Sequence, residues 1–259
     1  MQSVIDISLY LIIYSFLGWC CETVYCSFGT GHFVNRGFLN GPFCPVYGFG
    51  ALLTLFGLQY FRNSVVLVFL GGVLLTSCLE YATSFAMEKL FHTKWWDYSN
   101  KRFNINGRVC LLNSTLFGML CIFLKFELHP FVQKMVRSFP TDFKLGFLTA
   151  LLLYFVVDFT ITIYSVLGLN KRLKSIFDIK TELVKKYEVI NMKLQLDQIT
   201  QLLKDKNITD DLTIKLSEKI KSSNVWERRI VKAFPNSSNK KHNDLMTEWK
   251  ETIKRRKQK

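Results

Sequence analysis

The sequence has no phosphate loop of the form GxxxxGK[ST], no GxSxG nucleophile elbow and no HExxH zinc pair. The first absence means that any ATP hydrolysis must belong to a separate subunit. The other two remove the familiar serine and zinc hydrolase frameworks. Histidine is scarce: His32, His92, His129 and His242 are scattered, and each reads as an ordinary surface or interface residue. Seven cysteines are present but never as CxxC, and most lie within or beside apolar runs. They read as small buried hydrophobes, favouring neither a zinc site nor a disulfide framework. No catalytic residue, metal or cofactor is expected. Basic residues are missing from the start of the chain, where Asp6 sits in place of a positive n-region, and no small-residue cleavage site follows. The first apolar run is therefore expected to be a retained span.

What is present divides in two. Residues 1–170 carry eleven Lys/Arg against eight Asp/Glu, and residues 171–259 carry twenty-three against twelve. This is the pattern of a membrane-spanning domain, 1–170, followed by a basic cytoplasmic tail, 171–259. Five apolar runs, near 4–26, 45–61, 64–84, 109–126 and 145–169, cross or nearly cross a bilayer that needs about 20 helical residues. The second and fourth are short and carry Gly48, Gly50, Gly57 and Gly118, so each could be tilted, packed inside the bundle or re-entrant. The expected fold class is all-α: a polytopic helical membrane bundle of about five spans with a helical, coiled-coil-like tail. Lys89, Lys94, Lys101, Arg102 and Arg108 crowd the third loop and the tail is strongly basic. The amino end is expected outside and the tail inside, against the count of Lys125, Lys134, Arg137 and Lys144 in the 125–144 loop.

In the tail, Ile176, Ile179, Leu183, Tyr187, Ile190 and Leu194 follow Leu173 in steps of three and four, an amphipathic helix or short coiled coil. Thr209 can cap a second helix, and Asn224 with Glu227 forms a capping-box start before Pro235 stops a third. Basic charge spread over a tail below a membrane suits anionic lipid or a partner protein. No nucleic-acid motif appears, so nucleic acid is not an expected partner.

The most informative stretch is Glu80 to Arg108. Thr76, Glu80, Ser84 and Glu88 recur every four residues, roughly on one helix face. A carboxylate inside a membrane segment faces a partner or a cavity rather than lipid. Trp95, Trp96 and Tyr98 also suit an aromatic belt at a membrane surface, but a belt does not account for Glu80. Loop one, Asn35 to Gly50, is rich in glycine and proline yet keeps Phe38, Leu39, Phe43, Val46 and Tyr47. Such a loop is expected to pack against the bundle or dip into it. Loops one and three both follow odd-numbered spans and so share a membrane face. The site residues expected to gather there are Glu22, Asn35, Arg36, Glu80, Tyr81, Glu88, Trp95, Trp96, Asp97, Tyr98, Asn104, Asn106, Arg108 and Asn113. Arg36 and Arg108 are the natural partners of Glu22 and Glu80, in a cluster that could serve transport or merely clamp helices. Asp158, at the centre of the fifth run, is either a proton or cation ligand or a protonated carboxyl hydrogen-bonded to a neighbouring span.

The segments FLGWCCETVY (16–25), NRGFLNGPFCPVYG (35–48), TSCLEYATSFAMEKLFHTKWWDYS (76–99) and FNINGRVCL (103–111) resemble a bacterial family of CmpB-type, ABC-transporter type IV permeases over roughly residues 9–125. That resemblance implies a multi-pass protein of the cell membrane. The leading expectation is a permease subunit in the lipid bilayer, working with a separate ATPase subunit or another protein through the tail, alone or as an oligomer. A non-transporting scaffold or regulator is the second. The third is an enzyme on a lipid headgroup, with Glu22 or Glu80 as acid–base group and Arg36 or Arg108 on phosphate.

Overall fold

A computed structural model describes residues 4–31, 33–61, 64–186, 214–216, 218–219, 224–234, 237–239, 246–247 and 250. The stripe positions Tyr187, Ile190 and Leu194 and the cap at Thr209 lie outside these, as does the side chain of Leu183.

Helices α1 (Val4–Thr30) and α3 (Val65–Phe91) have 27 residues each, about 40 Å of helix. Both are apolar nearly all round, as a helix between lipid and other helices must be. The Ser64 hydroxyl caps α3 by accepting from Leu67 N at 3.3 Å, and His92, in the left-handed region at φ 52°, ends it.

Between them, α2 (Pro45–Gly57) has only 13 residues, about 20 Å, short of the roughly 30 Å hydrocarbon core. Gly and Pro keep loop one non-helical up to Cys44, and Pro45 then suits the first turn of α2.

The fourth run extends further than expected. Helix α4 (Leu111–Phe123), a π-helical turn (Leu124–Leu128) and α5 (His129–Arg137) continue through what sequence assigned to a loop at 125–144. Pro130 lacks an N–H and would clash with a carbonyl four residues back, and the wider π turn before it absorbs that defect. Helix α6 (Thr141–Lys186) has 46 residues, about 69 Å, well beyond a bilayer and its headgroups. It passes position 170 without a break.

Four helical stretches, Val4–Phe28, Val65–Phe91, Leu111–Arg137 and Thr141–Glu182, are long and apolar enough to cross a membrane. Leu74, Leu153, Val156 and Val157 point outward and exposed, a surface that suits lipid rather than water. Glycines set the close packing. Gly18 lies against the Tyr47 side chain and Gly48 against Leu11 and Ser15, joining α1 to α2. A Cβ on Gly72 would stand 2.7 Å from Cys121 Cβ, and one on Gly118 2.6 Å from Val73, so α3 and α4 touch almost backbone to backbone.

Loop one dips into the bundle. Leu39 is fully buried, and Cys44 N donates to Ser15 O at 2.9 Å, about 10 Å along α1 from Glu22. The Asp158 carboxylate accepts from Asn40 N at 3.0 Å and Gly41 N at 2.8 Å, and Asn40 Nδ2 donates to Thr162 Oγ1 at 2.9 Å. The Asp158 carboxylate thus bonds the backbone of loop one rather than a neighbouring span.

At the same end, strand β1 (Thr93–Lys94) precedes a hairpin of β2 (Asn104–Ile105) and β3 (Val109–Cys110). Asn106, Gly107 and Arg108 join its strands, the first two at positive φ and Arg108 N donating to Ile105 O at 3.0 Å. From the tail, α7 (Val225–Ala233) starts at the expected Asn224–Glu227 capping box. Strand β4 (Ser238–Asn239) pairs antiparallel with β1. The start of α1 lies at the opposite end, where Lys144 pairs with Asp6 at 2.8 Å.

Replacing Asp158 by Ala leaves Gly41 N without an acceptor and Asn40 N with only Thr162 Oγ1 at 3.3 Å, and an unmet buried amide costs about 1–3 kcal/mol. The variant is expected to melt several degrees lower in detergent than wild type. An unchanged melting temperature would show that the loop holds its depth without Asp158.

Candidate functional site

Loop one, loop three and the tail enclose the end of a cavity of about 550 Å³ among α1, α2, α3 and α4. Its walls run from Asn113 to Leu128, about 22 Å of helix. They are apolar for most of that length, with Leu79, Phe117, Leu120, Leu124, Phe159 and Ile163 typical. Polar groups gather at the loop end, where Glu22, Arg36, Glu80, Trp95, Tyr98 and Asn113 meet.

Each polar group reaches that end through its own element. Glu22 projects from α1, accepts from the Tyr47 hydroxyl at 2.6 Å, and lies 3.8 Å from Arg36 Nε. Arg36 also donates to Ala233 O in the tail, and its guanidinium stands 4.9 Å over the Phe234 ring. Glu80, on α3, is hydrogen-bonded to Tyr98, which also bonds Asn113. Burial, then the Glu80 and Glu22 charges, holds the Tyr98 phenol well above its ordinary range, so it stays a donor. The other Glu80 oxygen, Oε2, is buried without a partner, and so is Trp95 Nε1.

Arg108 was expected to balance Glu80. It pairs instead with Glu88 at 2.6 Å, donates to Ser84 Oγ at 3.1 Å, and lies over the Tyr81 and Phe85 rings at 5.5 and 5.4 Å. The cause is helical phase. Four-residue steps overshoot a turn by about 40° each, so Thr76 and Glu80 line the cavity while Ser84 and Glu88 turn away to Arg108. Glu80 has no cation within salt-bridge distance among the described residues.

The remaining predicted residues serve the framework. Asn35 Oδ1 accepts from Trp19 Nε1 at 2.7 Å, and Asn35 Nδ2 donates to Asn40 O at 3.0 Å, pinning loop one. Trp96 lines the cavity and donates to Arg108 O at 3.0 Å. Asp97 closes a turn on Ser99, whose hydrogen bonds hold the Asp97 carboxyl below its usual range. Asn104 binds the carbonyls of Ser99 and Lys101, and Asn106 donates to the Tyr81 hydroxyl at 2.9 Å. Asp97, Asn104 and Asn106 therefore shape the hairpin outside the cavity.

Three residues were not singled out from sequence. Tyr47 supplies the Glu22 donor, and an aromatic in a glycine-rich loop was its one visible signal. Phe234 closes the cavity end, its ring 5.1 Å from Trp95. Arg229 is the third. It donates to the carbonyls of Gly37 at 2.5 Å and of Leu39, and reaches Phe38 O and Asn40 Oδ1 at 3.3 Å. Burial lowers its guanidinium to about 10, which leaves it cationic at neutral pH. Arg172 Nε pairs with Glu227 at 2.9 Å and fixes α7 beside α6. These contacts span nearly two hundred residues, and no local pattern announces them.

The pairing gives a stability test. Glu88→Gln strips Arg108 of its partner at a partly buried site, where breaking a pair costs about 3–5 kcal/mol. Glu80→Gln deprives no cation, so its loss should stay below about 1 kcal/mol. Melting curves of the two variants should separate clearly, and equal losses would return Arg108 to Glu80.

No curated protein and no solved structure matches the chain. The family model described as "Putative ABC-transporter type IV" matches residues 9–163, the stretch that supplies every wall of the cavity except Phe234. By that match, the chain belongs to this transporter-type membrane family.

Proposed function

We propose that the chain is the membrane permease subunit of a transporter whose ATPase is a separate subunit. The carrying observation is the cavity: apolar for most of its length, with two carboxylates at one end, and lined by helices of the bundle in a chain of a transporter-type family. Small-molecule sites have this make-up, with few polar groups on apolar walls and volumes of about 300–1,000 Å³. Glu80 is the group that meets the substrate, because it lines the polar end of the cavity and has no cation within salt-bridge distance among the described residues. Glu22 is held by Tyr47 and Arg36 and forms the wall. The chain sits in the cell membrane with its amino end outside. Its loop end faces the cytoplasm, where the basic tail offers docking to the ATPase subunit.

Function and packing separate at Glu80. Glu80→Gln keeps size and much hydrogen bonding, so the protein should reach the membrane, melt near wild type and fail to complement a deletion strain. A stable variant with full activity would remove Glu80 from the mechanism. For orientation, Lys101→Cys and Ser138→Cys in a cysteine-free background should label oppositely: Ser138→Cys from outside, Lys101→Cys after permeabilisation. The reverse pattern would invert the orientation.

One observation favours a second reading, a scaffold or regulator. The tail helix α7 is tied to loop one through Arg229 and Arg36. In that reading the docked tail is the functional element and the cavity is incidental. Arg229→Ala should raise protease sensitivity of the tail at least tenfold. If it abolished partner recruitment while the wild-type protein gave no flux across liposomes, the scaffold reading would gain what the permease reading lost.

A further inference from the structure

We infer that the cavity binds an amphiphile with an extended hydrocarbon body and a cationic, hydrogen-bond-donating head, an ammonium seated on Glu80. This deepens the permease reading, which supplies the use of the site. Binding itself is measured apart from transport.

Shape argues for the body. The cavity extends about 22 Å along α4 and the following turns while holding about 550 Å³. That is long and narrow, close to the room one extended hydrocarbon chain occupies. Its walls beyond the loop end offer Leu79, Phe117, Leu120, Leu124 and Phe159, with no charged side chain among the described residues there. An apolar chain can fill such walls, whereas water would find few partners.

Charge argues for the head. Two carboxylates and one guanidinium line the polar end. The guanidinium is engaged three ways: with Glu22 at 3.8 Å, with Ala233 O, and over the Phe234 ring. An anionic head would meet no free cation and one bare carboxylate oxygen. An ammonium would give Glu80 Oε2 the donor that it lacks. The indole ring of Trp95 stands at the same end and can take the cation on its face. Trp95 Nε1, buried and without a partner, is a donor at the same end of the cavity.

The same chemistry has two sources: a soluble alkylamine, or a membrane lipid with a primary ammonium headgroup. The probes are dodecylammonium, dodecanoate and dodecanol, which share one chain and differ at the head. Full-length protein in phosphatidylcholine nanodiscs is titrated with each against empty discs, read by tryptophan fluorescence and by the unfolding temperature. Dodecylammonium is expected to bind at least tenfold more tightly than the other two. Glu80→Gln is expected to erase that preference, leaving dodecylammonium equal to dodecanol. Equal affinity for all three probes in wild type overturns the inference and needs no variant, so a misfolded Glu80→Gln does not shield it. A preference for dodecanoate, or one surviving in folded Glu80→Gln protein, overturns it as well. Phosphatidylethanolamine doped into the discs should displace dodecylammonium if the lipid is the source and leave it bound if the source is soluble. Selective binding without ATPase-dependent flux of dodecylammonium would sink the transport reading alone. Flux of other solutes without selective binding would sink this inference alone.

Discussion

Two backbone amides donated to the Asp158 carboxylate hold a non-helical loop deep inside a helical membrane bundle, and much else follows from that depth. Irregular backbone is tolerated there only when its polar groups are satisfied within the protein. Loop one meets that demand from three directions. Asp158 takes amides from α6, Asn35 takes Asn40 O from within the loop, and Arg229 takes a row of carbonyls from the tail. With its backbone satisfied, the loop can carry Leu39 and Phe43 into the core. It also forces α2 to begin level with Ser15, partway down α1. A full-length second span would fill the interior beside Gly18 and Leu79. A half-length helix beginning at that depth leaves the cavity.

Sequence was most legible where the cause was local. Apolar runs gave the span-length helices, the Asn224–Glu227 spacing gave α7, and the glycine- and proline-rich loop was read as one that enters the bundle. The meeting of loops one and three was legible from parity, and Phe38 packs 5.3 Å from Trp95 as that meeting requires. What stayed hidden was set by phase and by distance. The polar row on α3 looks like one face at four-residue spacing, but its accumulated rotation sends Glu88 to Arg108 and leaves Glu80 facing the cavity. The 125–144 stretch was read as a loop because the π turn that carries the helix past Pro130 has no sequence signature. The grip of Arg229 on loop one joins residues about 190 apart, beyond any periodicity.

Electrostatics at the loop end is orderly once the pairs are known. Glu22 has Arg36, Glu88 has Arg108, Glu227 has Arg172, and Asp158 has the loop amides. A packing clamp needs nothing more, and a helix bundle would be as well held with Gln or Met at position 80. Keeping a carboxylate in a place that gives it one phenol and no cation is costly. The Tyr98 phenol offsets part of that cost, and no cation among the described residues offsets the rest. This imbalance is why Glu80 weighs more than the better-paired acids when the site is interpreted.

The cavity has two kinds of wall. Residues 9–163 match the family and supply its helices and loops, whereas Phe234 and the Arg229 grip come from the tail, outside that match. The bonds made by Arg229 go chiefly to main-chain carbonyls, which any loop sequence offers, so the tail reads the shape of loop one more than its side chains. Moving α7 away would unseat Phe234 from Trp95, return a buried guanidinium to water and free the carbonyls of Gly37 and Leu39 together. Those changes share one helix of nine residues. The cavity end and α7 are therefore bonded to one another, through Arg36, Arg229 and the Phe234 ring.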